Sequence, residues 1–127
     1  MFGRLVAISV LSLGLFATSC GGDDDELSAQ DACYQLADIL CDKFFNCFTS
    51  EQLTAAQDVV GLNAADCKTK YKASECNADA VKCDLGETYH ADQASSCVAQ
   101  YKGLSCTDVM AGDDMPTPAA CNLICSK

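Results

Sequence analysis

Eleven cysteines in a chain of 127 residues constrain what this sequence can fold into more than any other feature. At about 9 % of all residues they reach the density of short exported chains held together by disulfides. They are Cys20, Cys33, Cys41, Cys47, Cys67, Cys76, Cys83, Cys97, Cys106, Cys121 and Cys125. No C-x-x-C occurs among them, and zinc sites usually show such pairs with histidine support, so neither a structural metal nor a thioredoxin-like redox centre is expected. No cofactor is expected either. The count is odd. If Cys20 leaves the thiol pool by modification, ten remain, and ten can pair completely.

The first twenty residues give Cys20 such a fate. Met1 to Arg4 is a short positive region, Leu5 to Phe16 is an uncharged apolar run, and Ala17-Thr18-Ser19 are small residues directly before the cysteine. That is the layout of a secretory signal peptide. Twelve apolar residues fall short of the roughly 20 that span a bilayer. The segment Phe16-Ala17-Thr18-Ser19-Cys20 resembles the bacterial lipobox, whose cysteine takes a diacylglycerol on sulfur and becomes the new N-terminus. It departs from that pattern at Ala17, where a large aliphatic residue is usual. Residues 1–19 are therefore expected to be removed, and 20–28 to form a lipidated, Gly/Asp-rich tether. Two or three acyl chains hold a protein stably at a bilayer, whereas one holds only marginally. The run Asp23-Asp24-Asp25-Glu26 reads as a solvated spacer, because like charges repel one another and anionic head groups.

The remaining domain, 29–127, is poor in large apolar side chains. Leu, Ile, Val and Phe after Ser19 make up about 17 % of the residues, which with a net charge of −10 predicts disorder for a chain without cross-links. Five bridges reverse that expectation, since each contributes about 2 to 4 kcal/mol in a small secreted domain.

Between the cysteines the patterning is helical. Cys33, Leu36, Ala37, Leu40, Phe44, Cys47 and Phe48 recur on one face, opposite Asp31, Gln35, Asp38 and Asp42. Ser28 with Asp31 predicts the start of that helix. Thr49 with Gln52 opens a second helix that Gly61 closes, and Asn63 with Asp66 opens a third. A further helix runs from Ala91 to Lys102 and stops at Gly103, and Ser105 with Asp108 restarts the chain. Thr117 followed by Pro118 predicts a cap leading into Ala119 to Cys125. No alternating strand run is seen. The fold class is all-α: a small disulfide-stapled bundle of about five short helices.

Cys67 to Cys76 and Cys97 to Cys106 share the pattern C-x3-Y-K-x3-C thirty residues apart, an internal repeat. Nine residues of continuous helix separate two cysteines by about 13.5 Å, too far for the roughly 7 Å that a bridge requires. Bridges between helices are therefore favoured over bridges within each repeat. Cys121 and Cys125, four apart, are expected on one helical face as staples to adjacent elements. Ten cysteines leave the full pairing open.

The lipobox with C-G-G, helices bearing C-x8-C, the stretch ending in G-L-S-C-x-D and the terminal P-x-x-x-C segment resemble the small cysteine-rich lipoproteins of myxobacteria and their relatives. The resemblance covers the lipobox and roughly Ala94 to Cys125. It implies location and architecture, and carries no activity.

The charge excludes one class of partner. Eight cationic residues against eighteen acidic ones argue against nucleic acid, which is held largely by cations on phosphates. Catalysis has little to draw on: His90 is the single histidine and reads as a solvated residue in a loop, and Ser95 and Ser96 lack an elbow motif. Phe44 and Phe45 lie about 100° apart on a helix, so Phe45 falls off the main stripe with Tyr34 and Cys41. These aromatics, and the local basic edge of Lys68, Lys70 and Lys72, are the candidate contacts for a protein partner, against the simpler reading of a helix buried on two sides and lysines paired with nearby acids. The sequence thus predicts a non-enzymatic cell-envelope lipoprotein acting as a surface interaction or structural module, with Gly21 after Cys20 pointing to the outer rather than the inner membrane by resemblance to enteric lipoprotein sorting. The alternative is a secreted, inhibitor-like binding protein or effector released by ordinary signal peptidase.

Overall fold

Ser28 begins the folded region as the sequence predicts. In the computed structural model, which describes residues 26–127, its hydroxyl accepts the Asp31 backbone N–H at 3.1 Å and starts helix α1, Ala29–Cys47. The leader at 1–19, Cys20 and the tether as far as Asp25 lie outside the described residues. Thr49 and Gln52 form a reciprocal capping box that opens α2, Ser50–Ala55. The single helix expected up to Gly61 is divided: Ala56 leaves the helical region at φ −98°, ψ 3°, and a short α3, Gln57–Val60, follows. Gly61 closes it at φ +89°. Asn63 caps α4, Ala64–Glu75. After a loop and the two-residue strand β1, Thr88–Tyr89, come α5, Ala91–Gly103, and α6, Cys106–Met110, the latter opened by a Ser105–Asp108 capping box. Two 3-10 turns, η1 (Gly112–Asp114) and η2 (Ala119–Leu123), lead to strand β2, Cys125–Ser126.

Helix α1 is the centre, with α4 on one side and α5 on the other. Four cross-links set α4 antiparallel to it. Moving up α1, Cys33 bonds to Cys76, Asp38 pairs with Lys72, Cys41 bonds to Cys67 and Asp42 pairs with Lys68, so the partners run from the C-terminal end of α4 back to its first turns. On the other side the order is parallel. The Tyr89 hydroxyl donates to the Leu27 carbonyl at 2.5 Å, the Lys43 ammonium to the Leu104 carbonyl at 2.6 Å, and Cys47 bonds to Cys106. Cys97–Cys121 and Cys83–Cys125 then fasten η2 and β2 to α5 and the preceding loop. All ten cysteines of this domain are paired, with Cα atoms 4.8 to 5.8 Å apart. No cysteine of either repeat bonds within its own repeat, in keeping with bridges between elements.

Two expectations are corrected at the C-terminus. Ala119 to Cys125 is not one helix: Pro118 caps a 3-10 turn that ends at Leu123. Cys121 and Cys125 do not share a helical face, because β2 pairs antiparallel with β1, Tyr89 opposite Cys125 and Thr88 opposite Ser126. The His90 backbone N–H donates to the Ile124 carbonyl at 2.8 Å. Long-range pairing and the Cys83 bridge decide the backbone here, against a local pattern that spacing alone reads as helical.

The core is thin. Its buried apolar residues are Ala32, Ala37, Cys41, Cys67, Cys76, Ala94, Cys97, Val98, Val109 and Ala120, mostly alanine and half-cystine. Small side chains let the helices approach closely enough for bridges of this length, and the bridges supply the volume that larger residues supply elsewhere. No helix of the described residues is long and apolar enough to cross a membrane.

Candidate functional site

The Lys68–Lys72 edge is occupied from within. Lys68 Nζ lies 2.7 Å from Asp42 Oδ1 and Lys72 Nζ 2.7 Å from Asp38 Oδ1, both across the α1–α4 seam. The Asp42 hydrogen bond raises the Lys68 pKa. Lys72 also stands 5.4 Å from the centroid of the Tyr34 ring, which places Tyr34 beside the same ladder. Lys70 projects from the other side of α4 and lies 3.5 Å from Asp66 Oδ2. Asp66 itself is fixed by the Leu62 backbone N–H at 2.9 Å, and that bond holds its carboxyl below the ordinary carboxylate range. So Tyr34, Lys68 and Lys72 are brought together by the fold, and Lys70 is separated from them.

Phe44 and Phe45 point into different hollows. Phe45 lines a shallow cup of about 260 Å³ with Leu53, Thr54, Gln57, Gly61 and Leu62, under the α2–α3 arch. Phe44 stacks on Phe48, ring centroids 4.8 Å apart and planes 7° from parallel. It also faces a groove of about 380 Å³ between α1, α3 and α4. That groove is walled by Leu40, Phe44, Val59, Val60, Tyr71, Met115 and the Cys41–Cys67 bridge, with Lys70, Ser74 and Glu75 along α4 at its edge. Burial raises the Tyr71 pKa, and the charges of Glu75 and Tyr101 add to the effect, so its phenol stays protonated at neutral pH. The volume and mainly apolar lining match what small-molecule sites require.

Sequence reasoning missed this groove. The helical periodicity predicts Leu40 and Phe44 on the packed stripe of α1, and they are only half-buried. Val59, Val60 and Met115 reach the groove through the division at Ala56 and the turn at Gly112, neither of which carries a periodic signal.

His90 lies in the connection between β1 and α5, as expected, but it is not the solvated residue expected. It is half-buried, occupies the N-cap position of α5, and its Nε2 is buried without a hydrogen-bond partner among the described residues. The β1–β2 pairing draws it in, since its own N–H belongs to that pairing through Ile124. No cluster of three or more His, Cys, Asp or Glu able to hold a metal occurs among the described residues. No protein-family model, curated protein or solved structure matches this chain. Five disulfides are the mark of an oxidising, extracytoplasmic compartment.

Proposed function

We propose that this chain is a bacterial cell-envelope lipoprotein, anchored through Cys20, whose disulfide-stapled domain acts without catalysis as a surface interaction or structural module. One observation carries the reading: the ten cysteines after the tether satisfy one another in five bridges, so none of them is left to pair with Cys20. A lone exported thiol is open to oxidation and exchange, whereas a lipidated one is not. The lipobox-like segment and Gly21 support an outer-membrane anchor, and the acidic tether suits a domain held off the surface. The fold begins at Leu27 and Ser28, the last two residues of that tether, where Tyr89 and the α1 cap hold the chain.

Ala17 favours a second reading, a secreted binding protein or effector cut by ordinary signal peptidase. The experiment that separates the two is the intact mass of protein extracted from bacterial membranes, with thiols alkylated before any reduction. Residues 20–127 carrying two or three acyl chains and no alkylated thiol is the expected result. An unlipidated chain in the soluble fraction with one alkylated thiol would overturn the anchor and establish the secreted form.

A further inference from the structure

The groove between α1, α3 and α4 has an apolar body and one charged end. Its one lysine is already engaged. Lys70 pairs with Asp66, and the other two lysines of α4 pair with Asp42 and Asp38 on the far side of the helix. Glu75 is different. It lines the groove, is exposed, and its carboxylate takes part in no ion pair among the described residues. It is also the last residue of a twelve-residue helix, where the negative end of the helix dipole disfavours a carboxylate. A positive charge placed there relieves both. The half-buried, protonated Tyr71, one turn before Glu75 on the same helix, also lines the groove and offers a neutral hydroxyl oxygen that a cation can use as acceptor. The chain as a whole carries −10, which draws cations toward its surface and repels anions.

We propose that this groove binds a small amphipathic amine, its hydrocarbon body against Leu40, Phe44, Val60 and Met115 and its ammonium at the Glu75 end. The site is independent of the anchor: it lies wholly within the stapled domain, and the inference stands whether Cys20 is lipidated or not.

Three eight-carbon probes that differ only at the head group test it: octylammonium, octanol and octanoate. Each is titrated at neutral pH and low salt into the oxidised mature chain, residues 20–127, carrying Cys20→Ser, which has neither leader nor lipid and needs no detergent, and followed by chemical-shift changes. Octylammonium is expected to bind about fivefold more tightly than octanol, the upper end of what one exposed charge pair supplies, and octanoate more weakly still. The shifts are expected at Leu40, Phe44, Val60, Tyr71 and Met115. Glu75→Gln is expected to bring octylammonium down to the octanol affinity while leaving octanol unchanged. The Glu75 side chain is exposed, so this variant tests charge and not folding. Equal binding of all three probes, tighter binding of octanoate, shifts elsewhere, or a Glu75→Gln variant that keeps the octylammonium preference would each overturn the proposal. So would groove shifts that follow protein concentration and not ligand, which would assign the groove to a second copy of the chain.

Discussion

Replacing both half-cystines of one bridge by alanine separates two ways in which a disulfide stabilises, because the five bridges differ in burial more than in loop length. Cys47–Cys106 spans 59 residues and Cys106 is exposed; Cys41–Cys67 spans 26 and is 1 % and 7 % exposed at its two ends. With the other four bridges intact, the shortest covalent path between partners is roughly 34 residues for Cys47–Cys106 and roughly 17 for Cys41–Cys67, which gives chain-entropy contributions of about 3.8 and 3.1 kcal/mol. On entropy alone, the long bridge matters more. Burial reverses the order. Removing two sulfurs from the α1–α4 seam loses their transfer energy and leaves a void, about 2 to 3 kcal/mol together, so the Cys41→Ala/Cys67→Ala variant should lose about 5 to 6 kcal/mol against about 4 for Cys47→Ala/Cys106→Ala. Guanidinium unfolding followed by far-ultraviolet circular dichroism, with free thiols absent by alkylation mass, measures both. A Cys47→Ala/Cys106→Ala variant as unstable as the buried pair, or more so, would refute the claim that half-cystines stand in for a core here and would leave loop closure as the main term.

Gly61→Ala should destabilise by about 1 to 3 kcal/mol, because φ is +89° and the new Cβ would stand 2.5 Å from Asp66 Oδ2, whereas Gly103→Ala, at a helical position with nothing within 4 Å, should be neutral or gain up to about 1 kcal/mol; thermal unfolding of the pair measures the contrast. Ser28→Ala and Ser105→Ala each remove an N-cap and should each lower stability by about 1 kcal/mol in denaturant titration. The Asp66 carboxyl is held below its ordinary value, so what it contributes is fully present above the usual carboxylate pKa of about 3.9 and is lost as pH falls through the lowered one; the stability gap between the native chain and Asp66→Asn should therefore close on acidification. A double-mutant cycle on Asp38 and Lys72 should give a coupling of under about 1 kcal/mol that shrinks in salt, since both side chains keep substantial contact with water.

How much of this could be read from the chain depends on the range of the interaction that decides each element. Four N-caps were legible: Ser28, Thr49, Asn63 and Ser105 each sit three residues before the acid or amide whose backbone N–H they accept, a local signal complete within one turn. The stop at Gly103 was legible for the same reason. The C-terminal segment was not, because Pro118 to Ser126 takes its conformation from β1 and from the Cys83 and Cys97 bridges, more than twenty residues away in sequence. The lysine edge was half legible: the spacing of Lys68 and Lys72 matches that of Asp38 and Asp42, but only an antiparallel α1–α4 seam brings the two sets together. The burial of His90 Nε2 had no sequence signal, since it follows from the β1–β2 pairing.

The thin core and the open groove have a common cause. A helical bundle of this size normally buries its leucines and phenylalanines because nothing else offsets the conformational entropy of folding. In this chain the unfolded state is already restricted by five bridges, so the folded state does not depend on every large side chain being buried. The sequence uses alanine and half-cystine where helices touch and leaves Leu40, Phe44, Val60 and Met115 half-exposed around a hollow. In a chain without bridges, such a hollow would cost stability through lost packing and lost apolar burial. Here Cys41–Cys67 forms part of the groove wall and, with Cys33–Cys76 farther along the same α1–α4 seam, fixes the spacing of the two helices, so the apolar surface can remain open without the helices closing on it. Opening Cys41–Cys67 by double alanine substitution should therefore weaken octylammonium binding as well as stability, while opening the distant Cys83–Cys125 bridge should spare binding in the fraction that stays folded. Equal binding losses in both variants would show that the groove depends on overall stability and not on the bridge that forms its wall.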